Sequence, residues 1–274
     1  MLQLVAEGNI EEETMRIFRC NLTGTMISVA LSMVLVTGYA AALEPPAPAQ
    51  VRSELPFPPP PSPPAPPPPP PMPIKETPVI ERVSPGVFRI GDVLINKKEL
   101  SVSFPAEVNM DRGLLEYLLV RVGGKTHESL LRTKVEPYQL QVAFLLLGYE
   151  GTNQPLAGQG DPRTPTGDAV DITVTRADSA GKPAPADYTG WMCKIIDKKQ
   201  VDIPKLEWVY TGSVVFDGRF RAQMEGSIIA LYHDPAALVD NASEGGESDK
   251  VWFVREGAPP PVGTPVTVTI KRKK

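Results

Sequence analysis

His127 and Glu128 are an adjacent pair whose side chains could do acid–base or metal work. A neutral imidazole binds metals and shuttles protons near neutral pH, and a carboxylate beside it would complete a simple hydrolase pair. No second histidine follows four residues on, so the zincin spacing is absent, and the other histidine, His233, lies far along the chain. His127, His233 and Asp234 would make an open three-ligand metal site if their strands paired. Two histidines in a domain of this size need no metal to explain them, and the reading adopted is that no metal is bound. On a regular strand His127 and Glu128 point to opposite faces, so a shared duty places them at a strand end or bulge. Serine chemistry is weaker still. Gly212-Ser213 and Gly226-Ser227 lack the second glycine of a nucleophile elbow, no glycine-rich phosphate loop is present, and both dipeptides read as turns.

The elements that must position these residues are mostly strands. Apolar and β-branched runs bounded by Gly, Pro and Asp predict strands at 87–95, 100–104, 114–122, 127–133, 170–176, 206–210, 213–216, 227–232, 251–254 and 266–271. Gly123-Gly124 reads as a tight turn between the third and fourth of these. Glu136-Pro137 opens a helix that Gly148 closes, and Leu140, Ala143, Phe144 and Leu147 form its apolar stripe. Val142, Leu145 and Leu146 make most of its remaining surface apolar too, which predicts a buried helix over 137–148. A second short helix is expected at 235–240, with Asp234 as N-cap and Pro235 as first residue. The fold class expected is therefore α+β, a mostly antiparallel sheet with one buried helix. The unpatterned stretches 151–169 and 241–250 are loops that could rim a site.

Before this domain come an address and a spacer. Arg16 and Arg19, the apolar run 26–39 and Ala40-Ala41-Ala42 have the order of a secretory signal peptide, with Met15 read as the true start and Leu43 as the first mature residue. The rival reading is a retained membrane anchor, because residues 21–43 carry no charge and are long enough to cross a bilayer of roughly 30 Å. Between Pro45 and Pro73, 17 of 29 residues are proline. Proline fixes φ and lacks an N–H, so the run predicts an extended polyproline rod reaching roughly 90 Å. The division expected is 1–42 leader, 43–78 proline-rich linker and 79–274 a single globular domain, exported to the periplasm or the cell exterior. A net charge of −4 and a pI near 5.4 argue against nucleic acid as a partner, and a membrane is a partner only if the leader stays as an anchor.

Gly124-Lys125-Thr126-His127-Glu128-Ser129-Leu130, then Pro137-Tyr138-Gln139-Leu140, then Trp208-Val209-Tyr210-Thr211-Gly212-Ser213, then Glu225-Gly226-Ser227-Ile228-Ile229 and Asp234-Pro235 resemble, in that order, the YdjY-like domain of exported bacterial proteins. The resemblance covers about residues 85–254. It implies no defined activity, but it marks His127, Glu128, Trp208, Ser213, Glu225 and Asp234 as site candidates, with turn and core duties as the competing explanation for each. Some members of that family carry a ferredoxin-type label. An iron–sulfur cluster needs about four cysteine thiolates, and Cys193 is the only cysteine after the leader, so a cluster is excluded and no cofactor is expected. The same count rules out an internal disulfide in the mature chain. The function expected is a non-enzymatic binding or structural module of the cell envelope, whose partner is an envelope protein, a glycan or a wall component. The alternative is a metal-dependent or acid–base hydrolase centred on His127 and Glu128.

Overall fold

The computed structural model describes residues 79–274; the expected leader and proline-rich linker lie outside the described residues. Among the described residues no helix is long and apolar enough to cross a membrane. The strands run in chain order as β1 (Ile80–Ser84), β2 (Val87–Ile90), β3 (Val93–Asn96), β4 (Ser101–Val108), β5 (Tyr117–Arg121), β6 (Ser129–Thr133), β7 (Asp168–Ala177) and β8 (Pro183–Ala186). They continue as β9 (Met192–Ile196), β10 (Lys199–Val201), β11 (Trp208–Tyr210), β12 (Val215–Phe216), β13 (Arg219–Phe220), β14 (Ser227–Ala230), β15 (Val239–Asn241), β16 (Trp252–Val254) and β17 (Pro265–Arg272). Two small α-helices, α1 (Pro137–Leu146) and α2 (Arg221–Glu225), complete the described elements together with one 3-10 turn at Thr126–Glu128.

Eight strands close on themselves. β4, β17, β7, β11, β15, β14, β5 and β6 are hydrogen-bonded in that order, and β6 returns to β4 through Glu107–Arg132 and Val108–Leu131. Period-two alternation drives the closure, because one face of each long strand is apolar: Val102, Phe104, Ala106 and Val108 on β4, Val266, Val268 and Ile270 on β17, and Val170, Ile172 and Val174 on β7 are all buried. The register sets Val268 opposite both Phe104 and Val174, so these side chains meet as cross-strand neighbours. Each such side chain taken fully from water contributes about 1.5–3 kcal/mol. β4 can serve both sheet and barrel because its first half pairs with β3 and its last two residues with β6. Pro105, which has no N–H to donate, falls between those two partners.

A closed barrel corrects the expected α+β fold of mostly antiparallel sheet with a buried helix. The molecule is mostly β, and two of the barrel's pairings, β5–β6 and β14–β15, are parallel. Gly123-Gly124 therefore does not turn a hairpin. The chain must travel back the length of the strand before β6 begins, and it does so in the link 122–128. The link 231–238 does the same between β14 and β15.

Helix α1 starts at Pro137 as expected, and Gly148 follows it in the left-handed region at φ 71°. It is not buried on all sides. Leu140, Ala143 and Phe144 face the core, while Tyr138, Leu145 and Leu146 are exposed, Leu145 by 59%. The helix touches β3, β4 and α2 and sets Phe144 against Tyr210, which shares the buried face of Trp208 and Val170, so only the stripe at helical spacing finds a partner. Phe144 stacks against Tyr149 and Tyr210 with ring centroids 5.1 and 4.8 Å away, and the Tyr210 hydroxyl donates to Gln141 Oε1 at 2.8 Å. The helix expected at 235–240 does not form. Asp234 caps a single turn, accepting from the Ala236 amide at 2.9 Å, after which the Leu238 amide donates to the Ile228 carbonyl and β15 begins at Val239. Barrel pairing outcompetes the local capping signal. The second helix, α2, stands earlier and ends at Gly226 in the left-handed conformation.

Candidate functional site

The two return links lie over neighbouring strands, since β14 and β5 pair with each other between β15 and β6. Their chemistry-bearing residues converge on Tyr117, the first residue of β5. Lys125, on the first link, donates from Nζ to the Tyr117 hydroxyl at 2.6 Å, and the same nitrogen lies over the Tyr117 ring at 5.0 Å from its centroid. Asp234, on the second link, accepts from that hydroxyl through Oδ2 at 2.7 Å, and Gln159 Nε2 donates to it at 2.9 Å. A phenol has one hydrogen to give and two lone pairs to receive, so the Tyr117 oxygen is fully satisfied. Burial, then the Asp234 charge, pushes Tyr117 far above the usual tyrosine range and keeps it a hydrogen-bond donor.

Glycine makes this approach feasible. A Cβ on Gly124 would fall 2.7 Å from the Glu225 carbonyl oxygen, and one on Gly226 would fall 3.0 Å from the Gly124 Cα. Backbone meets backbone there, which brings Lys125 to 3.7 Å from Glu225 and 3.8 Å from Asp234. Glu225 also pairs with Arg221 one helical turn earlier. Beneath Asp234 lies Asp240, wholly buried, whose carboxylate accepts the Asp234 amide at 3.0 Å and its neighbour Asn241's amide at 2.8 Å. Burial raises Asp240 well above the ordinary carboxylate range.

Glu225 and Asp234 thus meet through Lys125, and Ser213 stands beside them as a structural tie. Its hydroxyl donates to the Ala236 carbonyl at 2.8 Å and accepts the Ala222 amide at 3.1 Å, joining the start of α2 to the Asp234 turn. Trp208 is elsewhere, in the core, donating from Nε1 to the Tyr188 hydroxyl at 3.3 Å. His127 and Glu128 occupy the 3-10 turn just before β6. His127 is 78% exposed and touches Glu128 at 3.4 Å, while Glu128 lies close to Glu116. Burial, then the Glu128 charge, raises Glu116 above the ordinary carboxylate range against the opposing pull of Lys125.

His233 is 3% exposed, and both of its ring nitrogens face backbone carbonyls, which leaves neither for a metal. Among the described residues no group of three or more His, Cys, Asp or Glu side chains is placed to hold a metal ion, so His127, His233 and Asp234 do not assemble. One cavity, of about 10 Å³, is lined by Thr152, Leu156, Thr211, Ser213, Pro235 and Asp240 among others and has room for about one water. A second, of about 80 Å³, is mostly apolar, between Ile80, Phe88, Ile95, Lys97 and Leu146. Sequence reasoning missed Tyr117, Lys125, Gln159, Asp240 and Glu116. Tyr117 and Glu116 are hidden in an apolar strand run; the Gly-Gly-Lys triplet was the one local signal that Lys125 needed a close backbone approach.

No curated protein and no solved structure matches the chain. The YdjY domain matches residues 93–271, which takes in all eight barrel strands but the last residue of β17, both return links and the Tyr117 network. The match spans well over half of the sequence, and the chain belongs to the YdjY domain family.

Proposed function

We propose that this chain is an exported cell-envelope module that binds a partner protein and performs no chemistry, carried on its proline-rich segment as a spacer. The observation that supports this best is the hairpin β12–β13. Asp217 and Gly218 both take positive φ, 50° and 69°, in the turn that suits a two-residue hairpin, and just before them Val215 and Phe216 are 69% and 70% exposed. Adjacent large apolar side chains held out on a short tongue are suited to anchoring a partner. The polar residues of the neighbouring network, by contrast, are engaged with one another. The test is photo-crosslinking from position 218 in the native envelope, with the full chain and with a Val215→Ser/Phe216→Ser variant, whose exposed changes should shift stability by no more than about 0.5 kcal/mol. Protein adducts lost in the variant support the reading. Adducts unchanged by the variant, or wall glycan as the sole adduct, overturn it. Export is tested separately: N-terminal sequencing of the processed protein should give Leu43 first, and a membrane-bound form with residues 15–42 intact would establish the anchor instead.

The hydrolase reading draws on one specific observation, the raised Glu116 beside Glu128 and His127. A panel of ester, phosphate, glycoside and peptide chromogenic substrates tests it. Turnover abolished by Glu128→Gln and by Glu116→Gln would replace the binding reading at this site.

A further inference from the structure

Both long loops of the domain close on one residue. The His233 ring sets Nδ1 2.7 Å from the Asp161 carbonyl oxygen, in the loop 151–167, and Nε2 2.9 Å from the Asn241 carbonyl oxygen, where the loop 242–250 begins. Its main chain makes the same two connections, accepting the Gly160 amide at 3.0 Å and donating to the Gly246 carbonyl at 2.6 Å. Gly246 lies so close to the ring that a Cβ there would fall 2.2 Å from Nε2, which leaves no room for a water on that side. A carbonyl oxygen only accepts, and a neutral imidazole has one N–H and one bare lone pair. In the neutral ring, one nitrogen lone pair would face an oxygen lone pair at under 3 Å. Only the imidazolium satisfies both carbonyls.

We infer that His233 is a proton-operated latch: the doubly protonated ring ties the loop 151–167 and the end of β15, from which the loop 242–250 departs, to the second return link, and loss of one proton releases one of these ties. Titratable and charged groups come from each element packed around it. On its own link Asp234 follows it in the chain, bonded to Tyr117 and Lys125, and on β15 Asp240 accepts the Asp234 amide. From the first loop comes Asp161, whose carboxylate is paired with Arg163 at 2.6 Å. From the second come Glu247, which accepts the Gly245 amide, and Glu244, whose carbonyl holds Lys194. Tyr232 adds a phenol packed against Gly160. The loop 151–167 also contributes Thr152, Gln154, Pro155 and Leu156 to the small cavity above Asp240, so releasing it opens that cavity. The latch holds on the acid side and is lost as pH rises.

The experiment uses the full chain with ¹⁵N-labelled histidine, together with hydrogen exchange expressed as protection factors from about pH 5 to 8, the range in which imidazoles titrate. The expected result is that the ring signals that remain in His127→Ala, which belong to His233, show both nitrogens protonated at low pH and one proton lost in step with the change in protection. Protection at residues 157–163 and 242–248 should fall about tenfold as one proton leaves, while β17 keeps its protection. His233→Gln should abolish the step, and His127→Ala should leave it intact. A single ring N–H throughout, pH-independent protection in both loops, or a step that survives in His233→Gln would each overturn the latch. The wild-type measurements decide the matter by themselves if the glutamine variant does not fold.

Discussion

The two return links do the same topological job and end in opposite surroundings. Each carries the chain back along a parallel pair, each brings one histidine, and each sends one charged side chain to the Tyr117 hydroxyl. On the link 122–128 the histidine faces solvent and only its neighbour Glu128 touches the ring. On the link 231–238 the histidine is enclosed, and residues 160, 161, 241 and 246 meet all four of its polar positions. The difference comes from what covers each link. The His127 side chain leaves its 3-10 turn toward solvent, whereas residues 158–161 and 241–246 close over His233. Residue type alone therefore says little about function here; the number of buried acceptors a side chain must satisfy says much more.

The contrast can be broken by mutation, and Phe144→Ala sets the scale. Phe144 is wholly buried between α1, Tyr149 and Tyr210, so its loss should cost about 3–5 kcal/mol in urea unfolding, and a neutral result would move the core elsewhere. His233→Ala should cost about 2–4 kcal/mol, because the Asp161 and Asn241 carbonyls lose their ring partner; a cost no greater than that of His127→Ala would erase the distinction between the links. Removing only the shared hydroxyl with Tyr117→Phe leaves Asp234, Lys125 and Gln159 without their common partner. About 1–3 kcal/mol is expected, and a full Lys125→Met/Tyr117→Phe double-mutant cycle should show the two changes to be non-additive.

Glu116→Gln probes the exposed side through pH. Folding raises the Glu116 pKa, so its contribution to stability is fully present below the ordinary carboxylate range and is lost as pH rises. Glutamine cannot ionise and avoids that loss. The variant should gain on the wild type between about pH 4 and 7, by less than about 1 kcal/mol after solvent screening, and an opposite slope would mean that the carboxylate is stabilised in place. His127→Ala, the smallest effect, should stay within about 0.5 kcal/mol by thermal or urea unfolding.

Much of the barrel wall was legible in the sequence, and its closure was not. Val170, Ile172 and Val174, and Val266, Val268 and Ile270, alternate so plainly that their strands need no structure to find. That Val268 faces Phe104 on one side and Val174 on the other is a matter of partner choice, which no local pattern encodes. The Gly-Gly turn was visible but its direction was not, because φ > 0 at Gly123 serves a hairpin and a return link equally. Leu145 and Leu146 misled for a related reason: periodicity counts apolar residues and cannot count the surfaces available to cover them. For the site, Asp234 and Glu225 stood out in sequence, and their shared partner Lys125 did not, since the contact joins links that are about 100 residues apart.

β17 has a further consequence, one of timing. It fills the gap between β4 and β7, pairing with both along most of its length, yet it is synthesised after every strand it joins. Until residues 265–272 are available the barrel has two open edges, and the nucleus that commits the chain must bring together segments separated by about 90–170 positions. Such long-range closure makes folding slow for a domain of this size. Until β17 is made the nascent chain therefore keeps strands unpaired, and they are exposed to aggregation for as long as that lasts.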